Sequence, residues 1–300
     1  MQLYKVAIKL ESSLVTPLKG DTIWGHVVWG IANHEGDEAV SKFLEDAKSN
    51  EPSFIVSSAF PKGTICKPYP KHENRKPKMA TKDYAEIKKQ KKVKFISTSD
   101  FVKGVDSNFG SNFKFEQTQV MHNTINRFSN TVDEGLFATQ ELWSTQNDFD
   151  LYVLSSYSED RIKELCNWAF ENGFGADSST GKGKVSVLDV SKVEAKLSTN
   201  KYVSLAPFVT DFSTIKTGTL RADTFIRTGK IGGGFASSMN PYKKTVVMFE
   251  EGAVFETEVP IQFVGNLITN VHSDSRICHS GFAPVIPIGE DLWKNDINLQ

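Results

Sequence analysis

A chain of 300 residues, 39% hydrophobic and 24% charged with a net charge of −1, is a globular protein with material for two domains of ordinary size. Near-neutral total charge excludes a uniformly basic nucleic-acid coat, so any affinity for anions must come from local charge. Three scattered cysteines, Cys66, Cys166 and Cys278, exclude a disulfide framework and point to a reducing compartment. No apolar run reaches membrane-spanning length and the first ten residues alternate like a strand, so a cytoplasmic protein without a membrane partner is expected.

In chain order, Gln2–Leu10 places Leu3, Val6, Ile8 and Leu10 mostly in period two and predicts a first strand. After a loop ending Leu18-Lys-Gly-Asp-Thr, Asp21 or Thr22 caps a helix reaching about Asn33. Its apolar face is Ile23, Trp24, Val27, Val28 and Ile31; Thr22, His26, Trp29, Gly30 and Asn33 fall on the other face. Asp37–Lys48 is a second amphipathic helix, and Phe54–Phe60 reads as a strand. From 62 to 94 the chain carries twelve Lys or Arg against three acidic residues. Such a block is either a solvated insertion or an arm along an anion, and its one-sidedness favours the arm, with Tyr69 and Tyr84 available to stack on bases.

Beyond the insertion come a polar segment, His122–Asn130, and strand patterns at Glu134–Glu141 and Phe149–Leu154. A helix over Glu159–Asn172 follows, then the loop Gly173-Phe-Gly-Ala-Asp-Ser-Ser-Thr-Gly-Lys-Gly-Lys184, then a strand over Lys184–Val190. The order is β-α-β-β-α-β with an insertion, the ferredoxin-like or RNA-recognition arrangement. A Ser/Thr/Asn-containing connection at Lys196–Lys201 sets the expected boundary between domains at 1–195 and 196–300. The second half reads as strands at Tyr202–Phe208, Thr219–Thr228, Thr245–Phe249 and Val254–Phe263, with an edge strand at Gly281–Ile288 held to the edge by Pro284 and Pro287. It carries a second glycine-rich loop, Lys230–Ser238.

The Gly173–Lys184 loop runs from helix to strand, the reverse of a Walker or dinucleotide loop. Its glycines, hydroxyls and Lys182 and Lys184 fit a cradle of N–H groups for phosphates; they fit equally a flexible loop behind a glycine C-cap. No nucleophile-elbow or catalytic-cysteine signature occurs. Cys66 with His72, and His272 with Cys278 and His279, are too loosely spaced for a zinc site, so no metal and no cofactor is expected. Glu250 and Glu251 beside Gly252 read as a solvated turn. His26 has a catalytic alternative, as general base toward an RNA 2′-hydroxyl, against a packed or interface histidine.

Together, Leu18-Lys-Gly-Asp-Thr-Ile-Trp-Gly-His26, Asn123-Thr-Ile-Asn-Arg127 with Glu134-Gly-Leu-Phe137, and the Gly173–Lys184 loop resemble the RAMP superfamily of CRISPR proteins. The Asp-Ser-Ser-Thr-Gly-Lys-Gly-Lys run, Gly252-Ala-Val-Phe255 and His279-Ser-Gly-Phe-Ala-Pro284 narrow the resemblance to the tag-binding subunits of type III-A (Csm) interference complexes. The resemblance implies an α+β chain of two ferredoxin-like domains with glycine-rich loops, and no catalytic residue. It implies binding of the 5′ repeat-derived tag of crRNA, between the large polymerase-like Csm subunit and the backbone RAMP subunit. Carried over by position, the RNA-binding candidates begin with Lys19, Gly20, Thr22 and His26 on the first helix, and His122, Asn123 and Arg127 in the polar segment. They continue with Gly173, Gly175, Ser178, Ser179, Gly181, Lys182, Gly183 and Lys184 in the first loop, and Gly233 and Gly234 in the second. Trp29, Phe128 and Phe174 would supply stacking surfaces. The alternatives are a metal-independent repeat-RNA endoribonuclease of the same superfamily with His26 as base, and the equivalent tag-binding subunit of a type III-B complex.

Overall fold

The computed structural model describes residues 1–69, 93–103, 113, 115–194, 199–232 and 240–289, with backbone alone at 133–134. The bulk of the basic block, with Tyr84 and His72, and both Gly233 and Gly234 lie outside the described residues.

The first half is built on a sheet of β1 (Gln2–Leu10), β2 (Phe54–Val56), β3 (Phe60–Pro61), β8 (Asp148–Ser155) and β9 (Val185–Lys192). Its order is β2-β8-β1-β9, with β3 also on β8, and every pairing is antiparallel. The helices α1 (Gly20–Glu35) and α4 (Glu159–Phe170) are its two crossovers, so this half has the β-α-β-β-α-β order expected. β1 is central because its alternation gives the core Val6, Ile8 and Leu10, all buried. Facing Ala7 and Ile8, strand β9 bulges at Leu188, and that side chain turns out to solvent.

α1 begins one residue before the anticipated caps, and Lys19 provides no side-chain cap. Its apolar face is the expected one, extended by Gly30, where an added Cβ would stand 2.7 Å from Trp168 Cβ of α4. Gly30 is therefore where the two crossover helices approach closely. The helix α2 (Asp37–Lys48) has the bounds read from the sequence, because Gly36 at φ +84° breaks the chain ahead of it.

Phe54–Phe60 is not one strand. The chain leaves β8 after Ser57, whose N–H still donates to Tyr152 O at 2.8 Å; Ser58 N–H donates to Leu205 O at 2.9 Å and Ala59 N–H to Leu18 O at 2.9 Å, and the chain then rejoins as β3. The interruption is where the second half docks. Two short strands, β4 (Thr64–Cys66) and β5 (Phe95–Ser97), bracket the basic block and pair antiparallel, followed by the short helix α3 (Thr98–Lys103). Then β6 (Phe115–Ile125) and β7 (Val132–Ser144) form a two-stranded hairpin of their own.

The second half is strands only among the described residues: β10 (Lys201–Ser204), β11 (Thr224–Arg227), β12 (Val246–Phe249), β13 (Val254–Glu256), β14 (Phe263–Val264), β15 (Leu267–Ile268), β16 (His279–Ser280) and β17 (Ala283–Pro287). Its main sheet runs β13-β10-β17-β14 and does not repeat the order of the first. The terminal strand is not an edge. β10 pairs with residues 285–287 and β14 with 283–284, so each proline needs a ladder on one side only; Pro284 O accepts from Leu205 N. One continuous apolar core joins the halves, with Val203, Leu205, Val254, Phe282 and Ile288 packed among first-half residues.

Candidate nucleic-acid interface

The Gly173–Lys184 loop is not an open cradle. Gly173, Gly175, Gly181 and Gly183 all have positive φ, as does Asp177, and the loop uses that freedom to fold back on itself. Phe174 N–H donates to Gly183 O at 2.8 Å, Gly183 N–H to Ser13 O at 2.8 Å, Ala176 N–H to Thr16 Oγ1 at 3.0 Å and Lys184 N–H to Ser12 Oγ at 2.8 Å. The first of these donors is spent within the loop and the other three on the segment between β1 and α1. The N–H groups of Asp177, Ser178 and Ser179 have no partner among the described residues, so the outward part of the loop is the short 3₁₀ turn Ser178–Thr180 with Gly181. Ser179 and Gly181 there are exposed and Ser178 is half-buried.

Phe174, expected as a stacking surface, is fully buried and packs 4.7 Å from the His26 ring. His26 Nε2 accepts from Gly175 N–H at 3.2 Å, and a second backbone hydrogen bond joins the imidazole to Ala169. Burial outweighs that second bond and holds its pKa below the usual imidazole value. His26 is thus a neutral histidine that seats the loop on α1 and α4.

The two lysines differ. Lys182 Nζ lies 2.6 Å from Oε1 of Glu141, a fully buried residue of β7 whose Oε2 accepts from Ser13 Oγ at 2.7 Å. Lys182 chiefly holds the Glu141 carboxyl below the ordinary range, against the pull of burial, and Ser13 adds to it. The expectation of Lys182 as a free phosphate cation therefore does not hold. Lys184 reaches Glu11 at 3.0 Å with 72% of its side chain exposed, a surface pair that an anion can displace.

At the start of α1, Lys19 is paired to Glu251 and sits 5.7 Å from the centroid of Phe225. Glu251 is consequently no solvated turn residue, although Gly252 does turn the chain, at φ +90°. Gly20 is buried, with an added Cβ 2.5 Å from Val56 O, which makes it a packing glycine. Thr22 Oγ1 accepts from Arg227, whose Nε is 2.7 Å from Asp21 Oδ2; His279 Nε2 shares that oxygen at 3.1 Å. Burial alone would raise the Asp21 pKa, but His279 and Arg227 outweigh it and hold it low. Burial keeps His279 neutral and pushes the nearby Lys243 down as well. Asp21, Arg227 and His279 are a buried node between the halves that no local sequence pattern announces.

The remaining candidates lie on the β6–β7 hairpin and at the start of the second glycine-rich loop. His122, half-buried, bonds Thr139 Oγ1 at 2.9 Å and stacks on Phe137, whereas Asn123, Arg127 and Phe128 lie exposed on the outer part of the hairpin. Arg127 has no ion-pair partner among the described residues. One turn along α1 from His26, an added Cβ at Gly232 would stand 2.6 Å from Trp29 Nε1, so the second glycine-rich loop starts against the same helix that seats the first. Tyr69 is half-buried against the core, with its N–H on Gly252 O at 2.8 Å. No cluster of three metal-ligating side chains, and no helix long and apolar enough to cross a membrane, occurs among the described residues.

No family model matches the sequence, and no curated protein does. Solved structures match over nearly the whole chain. A Csm1–Csm4 cassette crystallised with pppApA is similar at 15% identity and a TM-score of 0.57, covering 96% of this chain and 99% of the other. The cassette with cA4 gives 14% and 0.58 over 95% and 98%. A Csm3–Csm4 subcomplex of the type III-A CRISPR-Cas interference complex gives 12% and 0.55 over 96% and 100%. End to end, the chain has the fold of the Csm4 chains in these assemblies.

Proposed function

We propose that this protein is a non-catalytic, cytoplasmic RNA-binding subunit of a type III CRISPR effector complex. In it the chain holds the 5′ repeat-derived tag of crRNA and bridges the large polymerase-like subunit to the backbone subunits, in the Csm4 position of a type III-A complex. One observation carries the reading: the end-to-end likeness to chains assembled with Csm1 in one set of structures and with Csm3 in another. The second half is then a diverged counterpart of the first, the two forming the pair of ferredoxin-like domains that 1–195 and 196–300 describe.

The geometry supports binding more than cutting. The polar groups left facing outward are those single-stranded RNA requires: the Ser178–Gly181 turn, Lys184, and the hairpin's Asn123 and Arg127 for backbone and base edges, with Phe128 for stacking. His26, the base of the nuclease reading, accepts a backbone hydrogen bond on Nε2. Repeat RNA incubated with the purified protein in chelator is expected to remain intact while being retained on a filter. Cleavage that disappears in His26→Ala would overturn the non-catalytic reading.

A further inference from the structure

The hairpin β6–β7 belongs to no larger sheet, and β6 is exposed along nearly its whole length. Eleven residues of strand span about 36 Å at ~3.3 Å per residue, so a small rotation at its root moves the tip by several ångströms. What fixes the root is therefore what aims the tip. Leu14 and Leu142 exchange backbone hydrogen bonds at 3.0 and 2.7 Å, and Phe115 stacks on Phe149 at 6.0 Å. A further anchor is the buried carboxylate of Glu141, held between Ser13 Oγ at 2.7 Å and Lys182 Nζ at 2.6 Å. Ser13 O in turn accepts from Gly183 N–H, so hairpin, glycine-rich loop and the β1–α1 segment close into one ring of contacts.

We infer that Lys182 is a positioning residue: through Glu141 and Ser13 it locks the β6–β7 hairpin to the glycine-rich loop, so that the Ser178–Gly181 turn and the hairpin tip face one ligand in fixed relation. The inference that this ligand is an RNA strand rests on the function proposed above. The lock itself does not. Charge on the hairpin agrees with a role for Lys182 inside the protein. Between 115 and 144 the hairpin has one arginine and no lysine against four acidic residues, and an unneutralised Glu141 would add to the repulsion of phosphate at its base.

The test compares Lys182→Met, Glu141→Gln, their double variant and the milder Ser13→Ala in the full chain, by amide exchange and by guide-RNA affinity across a salt series. The lock predicts exchange about tenfold faster in β6 and β7 with β1 and β8 unchanged, and a double variant no worse than either single one. It predicts that Lys182→Met and Glu141→Gln lower guide affinity together without changing the salt slope. A phosphate contact would instead reduce the slope by about 0.7 in Lys182→Met alone, with exchange in the hairpin untouched. That result overturns the inference. Should the two single variants fail to fold, Ser13→Ala, which removes one hydrogen bond, decides through hairpin exchange. If the unaltered protein retains no guide, the proposed function fails while exchange still judges the lock.

Discussion

Asp21→Ala is expected to cost about 3–5 kcal/mol of folding stability, because it removes the buried anion that compensates Arg227 and gives His279 its acceptor. The carboxylate is fully buried, with one oxygen shared by Arg227 Nε at 2.7 Å and His279 Nε2 at 3.1 Å. Lys243 stands close by with Nζ on Cys278 O at 2.6 Å, so without Asp21 three basic side chains share a desolvated corner. The loss falls at the junction of the halves, and urea unfolding should show it as a lower midpoint. His279 of this node and His26 beside the loop together give stability a pH dependence. His279 and His26 both have folded-state pKa values held below the ordinary 6.5 by burial. Below about pH 6.5 the unfolded chain takes up protons that the folded protein refuses, so stability is full above that pH and declines as pH falls through the histidine range. Urea midpoints measured from pH 8 down to 5 should fall on the acid side; a flat profile would show that these histidines are not held neutral.

Gly183→Ala is expected to destabilise by about 4 kcal/mol or more, a size reserved for backbone conflicts of this kind. At φ +68° an added Cβ would lie 2.0 Å from Phe174 O and 2.8 Å from Phe174 N, both backbone atoms that cannot step aside. Relief requires breaking the Phe174–Gly183 hydrogen bond and withdrawing Phe174 from the core beside His26. Gly181→Ala is the internal control. Its φ is +88°, but nothing lies within 4 Å of the added Cβ, so it bears only the left-handed strain of ~1–2 kcal/mol. Thermal unfolding of the two variants side by side checks this, and equal losses would mean that the loop is not folded back as described.

Elements written in local pattern were legible in the sequence. The period of α1 and α2, the alternation of β1 and the succession of strands and helices along the first half all follow from residues a few positions apart. The position of the glycine-rich loop between α4 and β9 was legible for the same reason, but its direction was not. Whether its N–H groups face solvent or protein depends on Ser12, Ser13 and Thr16, between 160 and 172 residues away in sequence. Likewise a lysine in a glycine-rich loop reads as a phosphate cation until its partner is seen, and nothing around Glu141 marks that acid as buried. The prolines of β17 pointed to an edge strand because ladder geometry on one side only cannot be read from composition. The Asp21 node escaped notice because Arg227 and His279 each lie more than 200 residues from Asp21.

Whether this chain grips the tag end of a guide RNA beside a large subunit and a backbone subunit is decided by crosslinking in the assembled complex. The complex would be purified with a crRNA carrying a photoreactive base in its 5′ tag, and crosslinks mapped by mass spectrometry. Crosslinks are expected from the tag to the Ser178–Lys184 part of the loop and to the hairpin around Asn123–Phe128, and none to Phe174 or His26. Crosslinks from the tag only to other subunits, with this chain untouched, would contradict the proposed grip.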